Sequence, residues 1–522
     1  MIPDRLPARE ALEQIARDLE LSIPFSEQEL AETAAVLASP GLSDPALADR
    51  TAAPFCTIDG PTSKDLDQAL FIARRGDGYV VSYAIADAAH YVPPRSALFQ
   101  GALARAASYY FPGFSLPMLP RDLSEGLISL NPEVVRRALV FDMVLDERGE
   151  LVETKLERAR IRSRAKLAFG DVQRFYDRPA ESPFRGSELA ESLELLREVG
   201  EKRIALATAS DVVRYRRREV DVKVAGDSMG FVVLDAVRDR VELYNEQISI
   251  LCNREAGRVL AEHPAPHLQP IYRVHPAPEA ADVSGFFELA KATVAAHGLP
   301  EELAPRPGEP VATYLRRLPN DGPALRVGRA IERQALLINV RSAFATEPDK
   351  HYGVGAEVYA RASSPMREIV GVFLHKELLE MLDGGRGSDS EVDLALRDKV
   401  VEAANLGRER QRRVNDLVNR LVLDRLFSVD LEAGSPPRRG TVMGITSSKV
   451  HVELDEPGLD VKVYLRDLGK ARGGAWLAAD ERGTTLRVRD TGEIVCRLGD
   501  EVGLVLRGKD VAHDRWRLDL VT

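Results

Sequence analysis

Apolar positions recur at helical spacing near the start of the chain and at every second position near its end. Between residues 7 and 21, Leu12, Ile15, Ala16 and Leu19 form one helical stripe. Ser26 and Glu29 have capping-box spacing, which opens a second helix running to about Ala38. From residue 50 to 375 strands and helices alternate without an obvious long linker. Residues 55–58, 69–73 and 78–86 read as strands, and 138–144 with 151–161 as a strand pair around a turn at Asp146 to Gly149. Helices are expected over 96–110, 189–218, 241–260, 281–296, 313–318, 329–344, 366–382 and 392–429, with another starting at Phe169. Residues 433–439 are a linker rich in Gly, Ser and Pro. Beyond Gly440 the stretches TVMGI, KVHVEL, VKVYL, TTLRV, EVGLVL and RWRLDL alternate with period two. About five short strands in that span fit a small β-barrel of the OB type, a fold that commonly binds single strands. A purely structural β-domain satisfies the same pattern.

One stretch stands apart from this periodicity. Residues 57–70, TIDGPTSKDLDQAL, place Asp59, Asp65 and Asp67 on turn chemistry between two strands. Carboxylates that close repel one another unless a cation sits among them. Hard oxygen ligands suit Mg²⁺ or Mn²⁺, and a metal acting on a phosphate ester is one reading. A solvated acidic turn is the other, and spacing alone does not choose between them.

Composition narrows the class. The 522 residues are 44% hydrophobic and 29% charged, as in a soluble multidomain protein. No run of 18 apolar residues is present, so no membrane partner is expected. The N-terminus lacks a basic-then-apolar signal pattern. Cys56, Cys252 and Cys496 are far apart in sequence, neither a disulfide framework nor a zinc motif, which points to a reducing, cytoplasmic setting. A net charge of −10 argues against indiscriminate coating of nucleic acid but leaves room for a local basic channel. Basic runs at 214–218 and 408–413 are as consistent with solvated helix faces as with RNA contacts.

Further motifs follow the acidic loop in fixed order: AHYV, YYFPGFSLPMLPRDLSEGLISLNP, SRAKLAF, YRVHP, and HYG with SSPMREIV. Ser363, Ser364 and Pro365 look like a helix entry, placing Arg367 in the first helical turn, where a cation opposes the helix dipole unless it serves an anion. This ordered set resembles the ribonuclease II (RNB) family of hydrolytic 3′→5′ exoribonucleases, over about residues 50 to 522. The resemblance implies an α+β, multidomain architecture. A helical N-terminal region (1–48), helix-turn-helix-like or a packing arm, precedes a mixed α/β RNB catalytic domain (49–432) and an OB-type RNA-binding barrel (433–522).

The resemblance also implies roles. Asp59, Asp65 and Asp67 match three of four acidic positions around Mg²⁺ (or Mn²⁺), with Asp67 the most sensitive for cleavage. Arg367 matches the arginine that steadies the scissile phosphate. Tyr110 and Phe169 match aromatic positions against terminal nucleotides, and Glu246 an acid near the RNA channel. The fourth acidic position is Gln68, whose amide oxygen can still ligate a metal or hold its water but which removes one negative charge. SPMREI replaces the family's SPIRRY, and a glutamate expected in the late helix aligns near Asn415. Family members usually carry two cold-shock barrels ahead of the catalytic domain, whereas a helical arm is expected here. The implied activity is stepwise 3′→5′ hydrolysis of single-stranded RNA to nucleoside 5′-monophosphates by a monomer. Gln68 motivates an alternative, a weakened or inactive homologue that only binds RNA. A metal phosphoesterase acting on DNA or small esters is a third reading.

Overall fold

Five strands carry the acidic loop. In a computed structural model, which describes residues 6–521 except 214, 217, 227, 237, 264, 266 and 386–389, they lie in the order Ala48–Asp49, Leu151–Arg162, Val135–Leu145, Gly78–Ala86, Gln68–Arg75. The last four are antiparallel, with Gln68 opposite Ile85 and Ala86 opposite Ala138. The first is parallel to its neighbour. Gly78–Ala86 is buried at nearly every position, as a strand covered on both faces must be. Helix Ile369–Leu382 shares its core, and Ile369 through Leu378 are all buried. Helices Ala190–Ala209 and Arg240–Glu262 add Leu193, Leu196, Tyr244, Ile248 and Leu251 to the same core.

A 43-residue helix, Ser390–Glu432, leaves this body. Its Val414, Val418 and Leu421 pack on Leu12 and Ile15 of helix Ala8–Asp18, the face set by the N-terminal apolar stripe. Helix Glu27–Ala38 opens with the Ser26–Glu29 capping box, and Glu29 also forms a buried ion pair with Arg105. The two N-terminal helices therefore seat on different elements.

Beyond the long helix, strands Asp460–Tyr464, Lys449–Leu454, Arg438–Ile445, Glu501–Asp510 and Arg515–Val521 form one antiparallel sheet. Strands Leu477–Ala479, Thr485–Val488 and Ile494–Arg497 form another. Val442, Val450, Val463, Leu486, Leu504 and Leu518 fill one core between them. The expected closed barrel is not formed: among the described residues the two sheets share no ladder. Helix Leu465–Ala471 stands between Asp460–Tyr464 and Leu477–Ala479, and its Leu465 and Leu468 enter the core where a continuous ladder would run.

Several expected helix ends move for local reasons. The helix expected over 189–218 stops at Ala209, followed by Asp211 in the left-handed region (φ 51°). Arg214 and Arg217 of its basic end lie outside the described residues, whereas Arg216 and Arg218 pair with Glu332 and Asp235. The helix expected over 96–110 stops at Arg105, because Ala106 adopts φ 66° and Tyr109–Phe111 pairs with Phe114–Leu116 as a hairpin. The helix expected over 329–344 is Leu325–Leu337, and Ala343–Ala345 pairs instead with Tyr272–Val274. The loop expected at 383–391 falls partly outside the described residues. Among the described residues, no helix is long and apolar enough to cross a membrane.

His375 gives the core a pH dependence. It is fully buried, and its Nε2 donates to the Ala362 carbonyl oxygen (2.8 Å), which leaves Nδ1 without a protein partner. Burial pushes its pKa down to about 4. The unfolded chain takes up this proton near pH 6.5 and the folded one does not, so stability is full above pH 6.5 and falls as pH drops towards 4. The slope from this group is about 1.4 kcal/mol per pH unit. In urea titrations at pH 6.5, 5.5 and 4.5, His375→Gln is expected to lose that increment relative to wild type. Parallel curves for the two proteins would remove His375 as its source.

Candidate active site

The acidic loop is fixed at three points by residues distant in sequence. Strand Thr57–Asp59 lies parallel to Lys166–Ala168, and Lys166 Nζ donates to the carbonyls of Pro61 (3.1 Å) and Ser63. Ser129 Oγ donates to the Lys64 carbonyl (2.7 Å) and accepts from Leu66 N–H (3.0 Å). Ala86 N–H donates to the Asp67 carbonyl (2.8 Å). Asp59 Oδ1 folds back to accept from Gly60 N–H (2.6 Å) and Ser63 hydroxyl (3.0 Å).

Asp67 sits at the bottom of this loop, 2% exposed. Its Oδ1 accepts from Met366 N–H (2.9 Å) and its Oδ2 from Arg367 Nε (2.6 Å). Burial raises the Asp67 pKa to about 6, against the opposing pull of Arg367 and Met366 N–H. The expected placement of Arg367 inside the helix is corrected here. The amides of Arg367 and Glu368 turn back to the Ser364 carbonyl (3.2 and 3.1 Å), and the helix starts at Ile369. Glu368 then turns extended (φ −136°, ψ 127°), because the Arg367 carbonyl accepts from Ser108 N–H (2.9 Å) and Ile369 N–H donates to the Ala106 carbonyl (3.0 Å), so the helix cannot begin before Ile369. Arg367 thus faces a carboxylate rather than a helix terminus.

Gln68 is engaged at both ends. Tyr83 hydroxyl donates to its Oε1 (2.6 Å), and its Nε2 donates to the Ser363 carbonyl. Asp65 Oδ2 accepts from the half-exposed Tyr110 hydroxyl (3.3 Å). Tyr110 is held through its backbone by Gln411, which accepts from its N–H (3.0 Å) and donates to its carbonyl (3.3 Å). Asn415, aligned with an expected glutamate, accepts from Gln411 Nε2 (2.9 Å).

A cavity of about 520 Å³ opens beside these groups, lined by Asp59, Gln68, Phe169, Glu246 and Arg367. Asp67 lies behind its wall, bonded to Arg367, and Tyr110 reaches the site from the Asp65 side. Glu246 pairs with Arg238 (3.3 Å) on the cavity wall. Arg273 and Arg361 line it further along. Burial, with Arg361 and Arg408 nearby, lowers the Arg273 pKa to about 10, and Arg361 pairs with Glu368 (2.6 Å). The wall is therefore cationic away from the carboxylates, a setting that attracts phosphate.

Three acidic side chains with an oxygen each within 4.8 Å of one another occur at one place among the described residues: Glu377, Glu380 and Asp393. Lys376 Nζ fills that spot, 2.8, 3.0 and 2.6 Å from the three. Asp59, Asp65 and Asp67 do not converge so closely. The donor chemistry still fits a hard cation, because Asp59 Oδ2 and Asp65 Oδ1 have no protein partner among the described residues. Asp67 and Gln68 are already committed to protein partners.

Asn253 escapes the sequence reading. It is 1% exposed, and its Oδ1 accepts from the amides of Ala362 (2.9 Å) and Ser363 (3.0 Å). Its Nδ2 donates to Tyr359 hydroxyl (3.1 Å) and Ser363 Oγ (2.9 Å). It lies seven residues after Glu246, two turns along the same helix face, and that polar spacing is the available signal.

The RNB domain model matches residues 48–384, more than half of the chain. The chain belongs to the RNB family. Exoribonuclease 2 of Yersinia pestis (strain Pestoides F) is 30% identical over 421 residues, spanning 78% of this chain and 61% of that protein. The chain therefore spans about three fifths of the curated relatives that it matches. RNase R of Mycoplasma genitalium, solved with ribose-methylated single-stranded RNA, superposes with a TM-score of 0.85 at 22% identity, over 99% of this chain and 78% of that one. Yeast Ssd1, described as a pseudonuclease, superposes at 0.64 and 14% identity, over 92% of this chain and 58% of that one. These structures share the RNB fold with this chain.

Asn253→Ala leaves two buried amides and two buried side chains without their partner. A loss of about 3 kcal/mol is expected in urea unfolding. A loss below about 1 kcal/mol would mean that the loop holding Met366 and Arg367 stands without Asn253.

Proposed function

We propose that the chain is a metal-dependent 3′→5′ exoribonuclease that shortens single-stranded RNA stepwise to nucleoside 5′-monophosphates. The observation that carries this reading is the pair of buried Asp67 with partly exposed Arg367 at a cavity bordered by Asp59, Phe169 and several arginines. RNB family membership and the 30% identity to Exoribonuclease 2 support it.

The residues divide the work. Asp59 and Asp65 would hold Mg²⁺ or Mn²⁺ through their free carboxylate oxygens. Such a cation, when bound, makes water more acidic and neutralises phosphate charge. Asp67, drawn out of water, fixes the Arg367 guanidinium through Nε, and Nη2 donates to Ser364 Oγ (3.5 Å), which leaves Nη1 for a phosphate oxygen. Charge building on the phosphorus oxygens during attack is then met by a donor that needs no reorganisation. Tyr110 and Phe169 offer ring faces to the terminal bases, which fixes the register of the 3′ end. Glu246 restrains Arg238 beside the same path. One chain supplies all of these groups, which suits a monomer. The three cysteines are buried and unpaired, which suits a reducing compartment such as the cytoplasm. In this reading residues 1–48 brace the catalytic body at 49–432, and 433–522 contact RNA upstream of the cut.

Gln68 favours a second reading, an RNA-binding homologue with weakened or absent cleavage. Its oxygen already accepts from Tyr83, so the site lacks a fourth negative charge and the neutral amide oxygen keeps only one further acceptor position.

A 5′-end-labelled single-stranded RNA with Mg²⁺ or Mn²⁺ separates the two. A ladder shortening from the 3′ end is expected, with a DNA of the same sequence left intact. Binding without a ladder would favour the capture reading. Asp67→Asn is expected to slow cleavage about a hundredfold or more while RNA binding persists. Full-rate cleavage by that variant would overturn the site assignment.

A further inference from the structure

A second cavity, of about 630 Å³, adjoins the first. Arg238, Glu246, Ile250 and Val354 line both, so the Arg238–Glu246 ion pair stands on the shared wall. Four arginines line the second cavity: Arg203, Arg238, Arg254 and Arg258. Two are balanced, Arg238 by Glu246 and Arg258 by Glu255 (2.7 Å). Glu255 is further committed to Thr154 hydroxyl (2.6 Å), and the remaining carboxylate, Glu150, is exposed.

Arg203 and Arg254 make no ion pair among the described residues, although Glu150 and Glu255 exert a longer-range pull on Arg203. Arg203 is 7% exposed, spends Nη1 on the Gly149 carbonyl (3.0 Å), and leaves Nε without a protein partner. Arg254 makes no hydrogen bond or ion pair among the described residues, and the charge that Arg203 feels most from a neighbour is Arg254 itself. Burial and that repulsion lower the Arg203 pKa to about 10. Two neighbouring cations, one of them buried, face a cavity of ligand size without a carboxylate in bonding contact with either. Guanidinium groups so placed match a phosphate monoester, which carries up to two negative charges on a fork-shaped set of oxygens.

We infer that this cavity receives the 5′-phosphate of a nucleoside 5′-monophosphate, the product of the hydrolysis proposed above, on its way out. The inference rests on that reading. After each cut the shortened RNA still fills the channel by which it entered, so a mononucleotide needs a side exit. The shared wall provides it. Arg238 can exchange Glu246 for the passing phosphate, and Arg254 with Arg203 receive it beyond.

Arg254 has no protein partner to lose, so its substitution tests the site without breaking a contact. The measurement is equilibrium dialysis of the full chain against labelled AMP, with divalent metal chelated. Arg254→Glu is expected to weaken AMP binding about tenfold or more. Arg254→Lys is expected to restore most of it, and adenosine, which lacks the phosphate, to bind far more weakly than AMP. Equal AMP binding by wild type and Arg254→Glu, or equal binding of adenosine and AMP, overturns the inference. A 5′-phosphorylated diadenylate that competes as well as AMP would assign the site to RNA ends and overturn the product assignment. If wild type leaves RNA uncut yet binds AMP through Arg254, the nuclease reading fails and the anion site stands.

Discussion

The Asp67 carboxylate holds the site together. It is buried, and its two oxygens are met by an amide and a guanidinium from consecutive residues, Met366 and Arg367, about 300 positions away in sequence. A carboxylate this deep is costly unless paired and hydrogen-bonded, so the two loops are obliged to meet. The residues just after this pair are held in turn by the Ala106–Ser108 backbone, which keeps Glu368 extended and starts the next helix at Ile369. One interaction thus fixes the acidic loop against the arginine and the turn that carries it.

Gln68 occupies a position where two demands conflict. A carboxylate would add charge for a cation, but it could not donate to the Ser363 carbonyl as the Gln68 amide does. The amide ties the acidic loop to the SSPM turn a second time, one residue along from the Asp67 tie. Tyr83, fully buried, would face an ion in place of a neutral oxygen if the charge were restored. The amide at this position supplies a tether between the acidic loop and the SSPM turn where a carboxylate would supply charge.

Much of this was legible in the sequence. The strands flanking residues 59–67, the capping box at Ser26, the strand pair around Gly149, and the convergence of the acidic loop with Tyr110, Phe169 and Arg367 rest on local signals or on motif order. What was not legible depends on partners far away. Asn253 is marked locally only by its spacing from Glu246, since the four groups that it bonds, on Tyr359, Ala362 and Ser363, lie more than a hundred residues on. The extra helical turn expected at Met366 failed because the backbone on either side of Glu368 bonds to Ala106 and Ser108, which holds Glu368 extended. The C-terminal strands read well one by one. Their division into two sheets depends on Leu465–Ala471 entering the core, and alternation cannot announce that. The helix expected through 218 ended at a left-handed Asp211, a conformation that sequence flags weakly at a non-glycine residue.

The helix Ser390–Glu432 touches each part of this organisation in turn. At 1.5 Å per residue its 43 residues make a beam about 65 Å long. Along it, Val400 and Ala404 are set in the main core, Gln411 grips Tyr110, Val414 and Val418 carry the N-terminal helix, and Phe427 is planted in the C-terminal core. A continuous hydrogen-bonded helix resists bending far more than a loop does. The C-terminal sheets and Tyr110 are therefore joined by one stiff element, so a displacement of the former is carried to the latter without an intervening hinge loop.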